Sequence, residues 1–117
     1  MRTWAMAAAI FATAITAAGA QTDQQRNAIN HLVDATLVGD RCPRMSLNQT
    51  MAGMIAVTYG FSAEDLGPTG RYSETMLARV TENKPLVDGM DEDAVCVMGV
   101  VLFGPDGTNV PGLLTQN

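Results

Sequence analysis

Two cysteines, Cys42 and Cys96, carry the most definite chemistry in this chain of 117 residues. Two thiols allow only one intramolecular bond. No Cys-x-x-Cys spacing lowers a thiol pKa, so the pair reads as a structural disulfide and not as a redox couple. Closing the loop between them stabilises a small domain by about 4 kcal/mol on the chain-entropy view. That is a large share of the total, because so short a chain buries only about 60–65% of its unfolded surface.

His31 is the sole histidine, and Asp34 shares its face in a helix, the spacing of a proton-relay pair. No second histidine, activated serine or spare thiol accompanies it, so an ordinary helical histidine is the simpler expectation. Asp88, Asp91, Glu92 and Asp93 are the kind of carboxylate cluster that calcium uses. The calcium-loop pattern nevertheless fails: the sixth position from Asp88 is Asp93 where glycine is needed, and the twelfth is Gly99 where glutamate is needed. The same acids suit a helix N-terminus.

Met45, Met51, Met54, Met76, Met90 and Met98 offer thioethers, which bind Cu(I), and Met51 and Met54 share a helical face. Methionine is equally a flexible core filler. Asn48-Gln49-Thr50 matches the glycosylation acceptor pattern, but falls inside a predicted helix. There is no Gly-x-Ser-x-Gly elbow, His-Glu-x-x-His pair or phosphate-cradling glycine loop. A pair of catalytic carboxylates is defined by space and not by spacing, so that possibility stays open. The expectation is no enzyme, no cofactor, no metal and no catalytic residue.

Arg2, the weakly apolar run Trp4 to Ile15 and the small-residue site Ala18-Gly19-Ala20 together read as a signal peptide over residues 1–20. The run is too short and alanine-rich for a membrane span, which needs roughly 20 strongly apolar residues. Residues 21–117 then form a single helical domain, periplasmic or secreted, in an oxidising compartment that favours the disulfide. Of the seven basic residues only Arg2 falls in the leader, so the remainder face twelve acids. That field repels nucleic acid and anionic lipid.

The elements that must position these residues follow from caps and stops. Thr22 and Gln25 make a capping box for a first helix, with Ile29, Leu32, Val33 and Thr36 at buried-face spacing and Gly39 as its stop. Pro43 pushes Cys42 out of helical geometry. Ser46 and Gln49 repeat the box for a second helix ending at Gly60, with Leu47, Met51, Met54, Ile55 and Thr58 inward; Ile55 to Phe61 also alternates as a strand would. Ser62 caps a short turn through Leu66. A third helix runs from about Arg71 to Glu82, burying Tyr72, Met76, Leu77 and Val80, and Pro85 ends it.

Asp91 to Gly104 has three acids at its head, then ten residues without charge, then a Gly-Pro stop. Apolar on every side, it reads as a helix buried among others, although its four valines also suit a strand. Leu113 and Leu114 in the turn-rich tail fold back onto the core. The expected fold is all-α: a small single-domain bundle of about four helices with one disulfide, the C-terminal helix central and joined to the end of the first.

In size, compartment and the Cys42/Cys96 pair the chain resembles the periplasmic acid-stress chaperones. Those carry lysine-rich flanks around their disulfide-linked core, whereas this chain has one lysine, Lys84, and an apolar tail, so their function is not carried over. The leading expectation is a non-catalytic protein-binding or accessory domain whose partner is another protein. It takes no nucleic acid and makes no stable membrane insertion once the leader is removed. A holdase-like stress chaperone and a soft-metal (copper) binding protein are the alternatives.

Overall fold

The computed structural model describes residues 22–117, and the signal peptide expected over residues 1–20 lies outside the described residues. Helix α1 (Asp23–Arg41) opens on the expected capping box: Thr22 Oγ1 accepts from the Gln25 amide at 3.0 Å and Gln25 Oε1 accepts from the Thr22 amide at 2.9 Å. Ala28, Ile29, Leu32, Val33, Ala35 and Val38 form its buried stripe. Thr36, expected on that stripe, is exposed, and its hydroxyl donates back to the Leu32 carbonyl. Gly39 does not stop the helix. It lies inside the helix, where an added Cβ would meet Leu114 of the folded-back tail at an ordinary contact distance of 3.4 Å. The helix ends at Cys42, which is extended ahead of Pro43.

Strand β1 (Met45–Leu47) pairs antiparallel with β2 (Leu114–Gln116), Met45 opposite Gln116 and Leu47 opposite Leu114. This ribbon is absent from the sequence expectations, because three residues are too few for alternation to register. Ser46, expected to cap the second helix, lies in β1. Asn48 caps α2 (Gln49–Tyr59) in its place, accepting from the Met51 amide at 3.1 Å. Asn48 wins because it bonds the tail at the same time: its amide donates to Leu113 O at 2.8 Å and its Nδ2 to Gly112 O at 3.2 Å. Gly60 closes α2 in the left-handed region at φ 75°, and the segment is helix and not strand. Leu47, Met51 and Ile55 are half-buried, whereas Met54 and Thr58 are exposed.

The short turn Glu64–Leu66 forms as expected, but its cap runs the other way: Asp65 Oδ2 accepts from the Ser62 amide at 2.9 Å. Helix α3 (Ser73–Asp88) continues past Glu82, with Pro85 inside it. The missing N–H of a proline usually breaks a helix. Here the last turn has outside support: Arg41 of α1 donates to the carbonyls of Asp88 at 3.0 Å and Met90 at 2.9 Å, and Lys84 pairs with Asp88 at 2.9 Å. Tyr72 is buried, Met76 and Val80 are half-buried, and Leu77 is exposed.

Helix α4 (Glu92–Phe103) carries Cys96, bonded to Cys42 with a Cα–Cα distance of 5.2 Å across a sequence separation of 54. Among the described residues there are thus four α-helices, one short ribbon and one disulfide, the all-α bundle expected. Every other helix packs against α1. Val95, Cys96, Gly99 and Phe103 of α4 are buried toward the core, but burial on every side is not what is found. Val97, Val100 and Val101 are 62%, 43% and 51% exposed. Leu113 and Leu114, both fully buried, close the core under the ribbon.

Candidate functional site

The open face of α4 is the feature that a folded domain has least reason to keep. From Ala94 to Phe103 the helix has no charged or hydrogen-bonding side chain, so nothing on its outer side prefers water. An ordinary surface helix has a polar outer stripe. This one presents Ala94, Val97, Val100 and Val101 to solvent instead. A groove of about 480 Å³ runs along one side of the stripe, between Val97 and Val101 of α4 and Met45 and Gln116 of the ribbon, with the disulfide in its wall. A second cleft of about 420 Å³ runs along the other side, where Met98 and Leu102 face Leu86 and Met90. Leu86 is itself 65% exposed, which extends the apolar surface onto α3.

Charge surrounds this surface unevenly. Arg26, Arg41, Arg44, Arg71, Arg79 and Lys84 each lie within ion-pair distance of a carboxylate. Among the described residues Asp40, Glu64, Glu74, Asp91, Glu92 and Asp106 make no ion pair, and three of these six flank α4 in sequence. Asp91 and Glu92 stand at its head and Asp106 just past its end. The cations are engaged in ion pairs, Arg44 in the wall of the groove included, whereas the acids that flank α4 in sequence are not.

The candidate residues singled out in the sequence separate in space. Asp34 does not serve His31: it accepts from Arg79 Nε at 3.0 Å, Arg79 Nη2 at 2.8 Å and Asn83 Nδ2 at 2.7 Å. His31 stands edge-on to Phe103, ring centroids 6.5 Å apart, and its Nδ1 is buried without a hydrogen-bond partner. The acidic cluster disperses, Asp88 to Lys84 and Arg41, and Asp93 to Arg44. Among the described residues no three His, Cys, Asp or Glu side chains are grouped to hold a metal. Met45 is buried, Met51, Met76, Met90 and Met98 pack against the core, and Met54 is exposed. Asn48, the glycosylation candidate, is occupied as the α2 cap.

Sequence reasoning missed the open face because a uniformly apolar run has no inner and outer side to read. Comparison with protein-family models, with curated proteins and with solved structures gives no match in any of the three. Among the described residues no helix is long and apolar enough to cross a membrane.

Proposed function

We propose that this protein is a non-catalytic, exported binding module whose α4 face receives an apolar helix of another protein, one flanked by basic residues. The observation that carries the reading is the uncovered valine stripe, Val97, Val100 and Val101, on a helix that has no polar side chain from Ala94 onward to keep it wet. Apolar surface of this kind returns about 25 cal/mol for each Å² removed from water, so a docked helix gains from covering it. The unpaired acids at both ends of α4 select the partner's charge: lysine or arginine beside an apolar stripe is attracted, and an acidic partner is repelled. Export rests on the leader pattern at residues 1–20, with which the Cys42–Cys96 bond accords. The non-catalytic reading draws support from Asp34, whose carboxylate is committed to Arg79 and Asn83 instead of activating His31.

The test uses two synthetic amphipathic helices with the same leucine stripe, one flanked by lysines and one by glutamates, titrated by fluorescence anisotropy. The lysine-flanked helix binds, salt weakens it, and Val97→Ser with Val101→Ser weakens it by at least about tenfold. Binding that ignores the two valines, or no saturable binding, overturns the reading. So does a dimer in sedimentation that the same substitutions dissolve, since the face would then belong to a second copy of the chain.

A further inference from the structure

A third cleft, remote in chemistry from the α4 face, is built from uncharged polar side chains. Gln24, Asn27 and His31 recur at helical spacing along one side of α1 and line a cavity of about 330 Å³ with Tyr59 of α2 and Asn109 of the loop after α4. Ile55, Val110 and Pro111 complete its apolar wall. At roughly 30 Å³ per water the space holds about ten waters, or one ligand of sugar size.

Among the described residues, no hydrogen bond engages the side-chain polar atoms of Gln24, Asn27, His31, Tyr59 or Asn109. The contrast lies in the cleft beside α3, where Asp34, Arg79 and Asn83 satisfy one another. A side of α1 that meets α2 gains most by being apolar, as it is at Ala28 and Ile29. Gln24, Asn27, Tyr59 and Asn109 are exposed around the cavity and His31 is half-buried, so their polar groups are open to a ligand that enters it.

His31 sets the floor. Its Nδ1 is sealed beside Phe103 with no partner, and a buried unpaired N–H is costlier and rarer than a buried unpaired lone pair. A lone pair on Nδ1 puts the ring N–H on Nε2, and His31, which lines the cleft, then offers a donor to it.

We infer that this cleft binds an uncharged, polyhydroxylated ring, a sugar residue. Each carboxamide of Gln24, Asn27 and Asn109 offers a donor and an acceptor, which matches a pair of neighbouring hydroxyls. Nε2–H of His31 donates from below. Tyr59 and Pro111 supply flat apolar surface for the C–H face of the ring. No charged side chain lines the cleft, so an ionic ligand would lose its hydration without gaining a counter-charge.

The experiment is a titration of the full chain, labelled with nitrogen-15, by maltose, cellobiose and di-N-acetylchitobiose, followed by amide NMR. At least one of the three produces saturable shifts confined to residues 24–31, 55–59 and 109–111, and the ring nitrogens of His31 show the Nε2–H tautomer. Asn27→Leu and Asn109→Ala, both at exposed positions, each weaken that binding by about tenfold, the loss of one or two hydrogen bonds. No saturable shift with any of the three sugars overturns the inference. So does binding that both variants leave unchanged, or a ring protonated on Nδ1.

Discussion

Arg79 holds Asp34 in a two-pronged grip, Nε to Oδ1 at 3.0 Å and Nη2 to Oδ2 at 2.8 Å, and so fastens α3 to α1. Asn83, one turn further along α3, adds a third bond to the same carboxylate at 2.7 Å. The arrangement answers two questions at once. It explains how a helix with little apolar periodicity is held to the core, and it removes Asp34 from any partnership with His31.

Asp34→Asn leaves the Arg79 guanidinium half-buried and without its carboxylate. Hydrogen bonding to Asp34 raises the pKa of Arg79; with that carboxylate gone the guanidinium still keeps its proton, because arginine is not deprotonated in proteins. With side-chain exposures of 15% for Asp34 and 29% for Arg79, the expected loss is about 2 kcal/mol, between the ranges for exposed and buried pairs. Replacing both, Asp34→Leu with Arg79→Met, recovers most of it. Urea unfolding of the single and double variants checks this, and a double variant less stable than the single would contradict it.

The disulfide contributes more. Reduction, or Cys42→Ala with Cys96→Ala, removes a cross-link over a separation of 54 residues and lowers stability by about 4 kcal/mol. In a domain of this size the apparent melting temperature falls by tens of degrees. Calorimetry with and without reductant reads the shift directly.

Two glycines are needed for different reasons. A Cβ on Gly99 would stand 2.9 Å from Val38 Cγ1 of α1 and 3.0 Å from Met45 Sδ of β1. Gly99→Ala should cost about 1–3 kcal/mol by overpacking, since the valine is stiff in its helix and only the methionine can yield. Gly60 has space around it, the nearest atom being 3.9 Å from the added Cβ, but sits at φ +75°. Gly60→Ala therefore costs about 1 kcal/mol through the backbone alone, and Gly60→Asn less. If Met45→Ala rescued Gly60→Ala as well as Gly99→Ala, the distinction would fail.

Stability should fall in acid through two identifiable carboxylates. The Ser62 amide, and then Arg71, hold Asp65 below the usual carboxylate range; Lys84, and then Arg41, do the same for Asp88. A lowered folded pKa contributes stability that is complete above the unfolded value, about 4, and is lost as pH falls through the folded value. Urea midpoints measured from neutral pH down past that value should decline, and Asp65→Asn or Asp88→Asn should flatten part of the decline. An undiminished slope in both variants would remove these two groups from the account.

What could be read from the residues was what local rules govern. The Thr22/Gln25 capping box, the stops at Gly60 and Gly104 and the Cys42–Cys96 bond needed only near neighbours, or the absence of any other thiol. The four-helix count follows from the same signals. Where contacts distant in sequence competed with those rules, tertiary structure decided. Asn48 displaced Ser46 as a cap because the tail reaches it, α3 passed Pro85 because Arg41 catches its last carbonyls, and β1 found β2 only once the chain had closed. The exposure of α4 belongs to this second group. A helix equally apolar all round carries no mark of which side will be covered; that depends on how far the remaining elements reach, and here they leave Val97, Val100 and Val101 in water.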